Sequence, residues 1–390
     1  MRIFRTATGF TAACLVLALG GCQTVGDAYD SWFGRGRPSQ KPAELVAIQP
    51  TATAKIVWQG SVSGAGNDVF FPIVTGNVVY AAGATGQIAG FDAASGRQVT
   101  RIEAGQRISG GVGNGGAMVL AGTAKGEVLA FDRDGKQIWK ARISGEVLAP
   151  PVMQNGIVVV RAADGRLFGL DAADGKRKWF YQRAAPALSV RSHAGVVIDR
   201  GAVFAGFAGG RLVAIALGNG TVGWESVVAL PRGATELERV ADITSLPVVD
   251  GRQVCAVAYQ GRIACFDALN GSTLWARDMS SIAGLDIDSR YLYVTDDKDA
   301  VTALDKTNGA SVWKQSKLAG RIVSRPLAFG RYVVVADFQG YVHFLSREDG
   351  SFAARIATDG SAIGAPPVAL SKDSFVVQTR NGGVFAITAR

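Results

Sequence analysis

Apolar residues in this chain come in short runs separated by glycine and aspartate, and the order of these features repeats. In Val78-Val-Tyr-Ala-Ala-Gly-Ala-Thr-Gly86-Gln-Ile-Ala-Gly-Phe-Asp92, two apolar runs flank a glycine turn, which predicts strand, tight turn, strand. The aspartate then opens a second turn, Asp-x-x-x-Gly, where glycine supplies the positive φ that other residues resist. A further strand follows and carries a tryptophan. Asp171-Ala-Ala-Asp-Gly175-Lys-Arg-Lys-Trp179 and Asp267-Ala-Leu-Asn-Gly271-Ser-Thr-Leu-Trp275 show the frame most fully.

Trp139, Trp179, Trp224, Trp275 and Trp313 each lie four residues after a glycine, and Trp58 opens the series. Thr100 and Ala354 hold the same place without a ring. In phase with them, Gly86, Gly126, Gly165, Gly210, Gly261, Gly340 and Gly382 mark the inner turn, with Asp299 standing in once. A strand-rich period of roughly forty residues is the signature of a β-propeller. The expected fold is all-β: an eight-bladed propeller with four antiparallel strands per blade. The tryptophan sits on the outermost strand, where its ring can pack between neighbouring blades.

The frame also predicts closure. Trp58 lies on an outer strand with no inner strands before it. Phe375-Val-Val-Gln-Thr-Arg-Asn-Gly382-Gly-Val-Phe-Ala-Ile-Thr388 is an inner hairpin with no outer strand after it. Pairing of the N- and C-terminal strands completes one blade and removes an exposed sheet edge. Residues 54–390 are therefore expected to form one propeller domain.

Residues 1–21 lie outside that frame. Arg2 and Arg5 precede an apolar stretch from Thr11 to Leu19, too short for a good spanning helix. Leu19-Gly20-Gly21-Cys22 resembles the lipobox of bacterial lipoproteins, which implies cleavage before Cys22 and lipidation of its thiol. Gln23 follows; in the sorting rule this resembles, an aspartate there would favour the inner membrane, so the outer membrane is expected. Residues 22–53, with Gly34-Arg-Gly-Arg-Pro38, Lys41 and Pro42, have the composition of a flexible tether. Cys255 and Cys265 flank the turn at Gln260-Gly261; they could form a cross-strand disulfide or be two small buried residues.

The formal net charge of +9 is spread as single lysines and arginines with no stripe and no nucleic-acid motif. A solvated basic surface is expected, and no nucleic-acid partner. The two histidines, His193 and His343, have no zinc spacing, and no nucleophile–base signature appears. Asp92, Asp132, Asp171, Asp267 and Asp305 occupy the repeated turn and are expected to cap it. Gly110-Gly-Val-Gly-Asn-Gly-Gly116 lacks the lysine and hydroxyl residue of a phosphate loop and is expected as a strand connection. These residues predict no enzyme, no metal and no cofactor.

Function in a repeat protein tends to sit where one repeat departs from the rest. The two longest intervals follow Trp179 and Trp224. Both insertions join an outer strand to the next blade's inner strand, so they should emerge on one face, side by side. Ala184-Ala-Pro-Ala-Leu188-Ser-Val190-Arg191-Ser and the stretch from Pro231 to Ser245 would form a composite surface with an apolar centre and a charged rim. The bland alternative is that Arg191 and Asp242 merely pair with each other to hold the loops.

With a lipobox, a tether, the tryptophan-marked blades and these loops, the chain resembles the BamB family of the outer-membrane β-barrel assembly machinery. Leu188, Val190, Arg191 and Asp242 match that family's partner-binding positions; Thr244 stands where a second loop acid is expected. The resemblance implies a non-enzymatic lipoprotein scaffold on the periplasmic face of the outer membrane. It would dock on the POTRA domains of BamA, be anchored through Cys22 and assist barrel insertion, with unfolded barrel clients as further partners. The alternatives are a pyrroloquinoline-quinone-dependent dehydrogenase, whose propeller carries similar tryptophan motifs, and a periplasmic peptide- or glycan-binding propeller.

Overall fold

The computed structural model describes residues 41–390. The expected signal peptide (residues 1–21), Cys22 and most of the expected tether lie outside the described residues. A compact unit begins at Ala43 and runs to Arg390. Its secondary structure is all-β: thirty-two strands in seven sheets, six of four strands and one of eight.

Within each unit the strands follow chain order and pair antiparallel. Residues 73–103, 112–142, 152–181, 197–227, 248–278, 284–315 and 327–357 each contribute four strands. The remaining sheet is made from both chain ends: Ala54–Ser61 pairs with Gly383–Ala389, register Trp58↔Ala386. The last strand thereby acquires the outer neighbour that its own hairpin lacks.

The apolar runs become the second and third strands of each unit. Val128, Leu129 and Ala130, for example, are wholly buried; a strand covered on both faces needs an uninterrupted apolar run. The fourth strand alternates instead. In Gln137–Arg142 the only fully buried side chain is Trp139.

The repeated motif is a latch between units. The six described tryptophans donate their indole N–H to a carbonyl in the next unit's glycine-ended turn, which opens on aspartate in four cases and on Ala216 and Ser346 in the other two: Trp58 to Ala93, Trp139 to Ala172, Trp179 to Leu217, Trp224 to Ala268, Trp275 to Lys306 and Trp313 to Arg347. These bonds span 2.7–3.0 Å. The turn glycine lies on the ring. A Cβ at Gly309 (φ +72°) would come within 2.5 Å of Trp275, so both conformation and space demand glycine there. The aspartates cap their own turns, as when Asp267 accepts the Leu269 amide at 2.9 Å.

The two ring-free positions have local causes. The turn facing Thr100 is one residue shorter, with the Gly135 amide bonded to Asp132 O, and Gly135 meets Arg101 O where other units place a ring. Ala354 faces the unit built from the chain ends, where no turn exists; Thr51 and Ala52 donate instead to Ala353 O.

Three expectations change. Gly110–Gly116 is not only a connection, because Val112–Gly115 is a strand. It meets the next unit through a parallel pair, Asn114↔Val152, producing the eight-stranded sheet. A Cβ at Gly113 would lie 2.0 Å from Pro151 O, so the glycine permits that approach. At the inner turn near Gly261, the positive φ falls on Gln260 (49°). Residues 43–53 belong to the compact unit rather than lying free of it. The open question at Cys255 and Cys265 is answered: they face each other in register and are disulfide-bonded, Cα–Cα 4.1 Å.

Candidate partner-binding surface

The two elongated connections run from 182 to 196 and from 228 to 247, between an outer strand and the next unit's first strand. The second is organised by its own sequence. Thr235-x-x-Glu238 forms a capping box: Glu238 N donates to Thr235 Oγ1 at 3.2 Å, and Glu238 Oε2 accepts the Ala234 and Thr235 amides at 2.8 and 3.1 Å. The Thr235 and Ala234 amides hold the Glu238 carboxyl below its ordinary pKa. Arg239 closes the turn by donating to Gly233 O at 3.0 Å. That Thr-x-x-Glu spacing was legible in the sequence as a self-ordering loop signal.

Asp242 joins the loops. Its side chain is 3% exposed. One carboxylate oxygen accepts the Val190 amide at 2.6 Å, and the other accepts the Gly209 amide at 3.0 Å. Arg161, Asp164, Ser189, Val190, Asp242 and Thr244 all line one small cavity beneath the first loop. Arg161 donates to Gly195 O and lies 5.4 Å from the Phe207 ring centre. Desolvation pushes its pKa down to about 10, against the opposing pull of the Asp242 charge. It stays cationic at neutral pH and faces Asp242 in a poorly solvated place, where charge pairing is felt strongly.

Arg191 does not pair with Asp242. It reaches Glu146 on the preceding connection at 3.1 Å, with both side chains largely exposed. Burial raises the pKa of Asp68, while Arg191 and Arg107 counter that rise; two acids therefore stand near this arginine. Leu188 is 47% and Leu237 70% exposed. The structure thus divides the four residues expected from the sequence. Leu188 and Arg191 are presented to solvent, Val190 ties its backbone down, and Asp242 is the buried clasp. Thr244 is also structural, donating to Ile282 O at 3.2 Å, a bond that an ionised carboxylate could not donate.

Among the described residues, no group of three or more His, Cys, Asp or Glu is placed to hold a metal ion. No helix there is long and apolar enough to cross a membrane.

A family model described as outer membrane protein assembly factor BamB matches residues 38–99 and 84–315. The chain belongs to the BamB family. Relatives bearing that description include one from Nitrosomonas eutropha, 47% identical over 347 residues, covering 89% of this chain and 85% of the relative. One from Bordetella pertussis is 42% identical and covers 96% and 95%. A solved BamB from Moraxella catarrhalis superposes with TM-score 0.79 at 26% identity, covering 86% of this chain and all of that one. A quinohemoprotein alcohol dehydrogenase from Comamonas testosteroni matches with TM-score 0.71 at 12% identity, a likeness of fold alone. The BamB assignment is to a β-propeller that serves outer-membrane assembly, without an enzymatic role.

Proposed function

We propose that this chain is a lipid-anchored scaffold of outer-membrane β-barrel assembly, an eight-bladed propeller that docks on the POTRA domains of BamA. The supporting observation is the clasp at Asp242. It joins the two most lengthened connections among the described residues into one surface and leaves Leu188 and Arg191 outward. Ordering before binding lowers the entropic cost of association; Arg191 is of a residue type enriched at interface centres, and Leu188 beside it offers apolar area to bury. Eight four-strand units, one assembled from both chain ends, account for the blades.

In this proposal residues 1–21 are removed as a signal peptide, and Cys22 carries the lipid on the periplasmic face of the outer membrane. No energy source is needed, since the scaffold acts by binding and positioning. The test is recovery of BamA from detergent-solubilised outer membranes, with the unaltered chain beside Arg191→Ala and Leu188→Ala. Strong recovery with the unaltered chain and much less with either variant is expected. Equal recovery with all three would place the docking surface elsewhere, and no recovery with the unaltered chain would sink the assembly role.

A further inference from the structure

A buried polar network lies apart from the partner surface, in the unit 327–357. Asp337 and His343 are wholly buried and Arg321 nearly so. Asp337 Oδ2 accepts Arg321 Nε at 2.7 Å and faces His343 Nε2 at 3.0 Å. Arg355 Nε donates to His343 Nδ1 at 3.1 Å. That donor assigns the ring proton to Nε2, directed at Asp337, so the imidazole is neutral.

Both arginines turn a further nitrogen onto the chain ahead of the first strand. Arg321 Nη1 donates to Ala43 O and Arg355 Nη1 to Val46 O, each at 3.0 Å. The same segment is held by backbone bonds: Ala43 N to Ala319 O at 2.8 Å, and Thr51 and Ala52 N to Ala353 O at 2.9 and 3.2 Å. Thr53 exchanges two backbone bonds with Arg390. Leu45, Val46 and Ile48 are half-buried, and Ala52 joins the core around Phe329, Phe344 and Phe375. Ala354 completes the fit, since this unit carries alanine where six of the others carry the large ring.

A buried arginine needs a counter-charge and acceptors for its remaining N–H groups. Asp337 supplies the charge, and the 43–53 segment supplies carbonyl acceptors through charge-assisted bonds, which are among the stronger ones. We propose that Arg321, Asp337, His343 and Arg355 form a clamp that straps residues 43–53 along the unit 327–357, so that the chain leaves the domain at Ala43. Ala43 meets the 316–326 connection, which joins an outer strand to the next first strand, as do 182–196 and 228–247. The exit point therefore belongs to the face that carries the partner surface. The clamp itself does not rest on the proposed function.

Hydrogen exchange on the full chain tests the clamp without reference to lipid or partner. The amides of Ala43, Thr51, Ala52 and Thr53, which donate to backbone carbonyls of the domain, should exchange at least tenfold more slowly than in the free peptide. Arg355→Gln, which leaves the Arg321–Asp337 pair in place, should speed exchange at Ala43 at least threefold while leaving strands Tyr332–Ala336 and Tyr341–Ser346 unchanged. The double variant with Arg321→Gln should bring Ala43 to free-peptide exchange; if it does not fold, the single variant decides. Free-peptide exchange at Ala43 in the unaltered chain, or full protection of Ala43 in Arg355→Gln, would overturn the proposal. BamA recovery can fail while the strap stays protected, so the two proposals are separable.

Discussion

Replacing Asp242 by alanine should disconnect the partner surface without dismantling the domain. The carboxylate is buried and accepts two backbone amides, from Val190 and Gly209. A hydrogen bond to a charged group contributes about 1.5–3 kcal/mol, so losing both costs about 3–6 kcal/mol. Arg161 would also lose the charge that opposes its desolvation, which adds to the cost. The penalty falls on a connection held by few other bonds, and local opening of residues 184–192 is the cheapest escape. Hydrogen exchange reads this directly. The Val190 amide should exchange at least a hundredfold faster in Asp242→Ala, with buried strands such as Tyr291–Thr295 keeping their protection. BamA recovery should fall together with that loss. Arg191→Ala is the contrast, because its exposed pair with Glu146 contributes about 0–1 kcal/mol; exchange at Val190 should stay as it was while recovery falls. If Val190 remains protected in Asp242→Ala, the carboxylate is not the clasp, and the division between presented and supporting residues is wrong.

Other consequences concern stability. Trp275→Ala removes a buried ring and its bond to Lys306 O and should cost about 3–5 kcal/mol in denaturant unfolding; Leu188→Ala, at an exposed site, should stay within about 0.5 kcal/mol, and equal losses would make Leu188 structural. Reducing the Cys255–Cys265 bridge, which closes a loop with sequence separation 10, should lower stability by about 2–3 kcal/mol; an unchanged melting temperature after verified reduction would refute this. Burial lowers the His343 pKa below its ordinary 6.5, with Asp337 opposing and Arg355 and Arg321 reinforcing the shift; Tyr341 and Phe352 are its ring neighbours. The unfolded chain therefore protonates first, and stability should fall as pH drops below 6.5 and continue falling toward the folded pKa, by at most about 1.4 kcal/mol per pH unit. Asp337, whose pKa burial raises but the bonds and charges of its partners bring below 3.8, adds its own loss only at lower pH. Urea midpoints from pH 7.5 to 5.5, with NMR of the His343 ring, measure this; a flat profile would mean that the histidine ionises alike in both states.

What the sequence by itself determined is the repeat. Glycine at a positive φ, aspartate capping a turn and an apolar run covered on both faces are local requirements, so they recur in phase and mark each strand. The tryptophan latch was legible for the same reason, because donor, ring and glycine each hold a fixed place in the frame. The two long connections were visible as excess length. Their side-by-side placement followed from the frame, but the bond that joins them did not, because Asp242 and Val190 lie far apart in sequence and meet only through packing of neighbouring units. Composition could not say that Asp242 points inward while Arg191 turns to Glu146; a charged residue in a loop reads the same whether it is presented or buried. The disulfide needed the register of one hairpin. Residues 43–53 had the composition of a linker, and only the tertiary structure supplied the arginines, set around Asp337 and His343, that hold their carbonyls. Local patterns specify strands and turns because their causes lie within a few residues. The clasp and the strap are long-range pairings between partners with no mark of their own, so packing alone decides them.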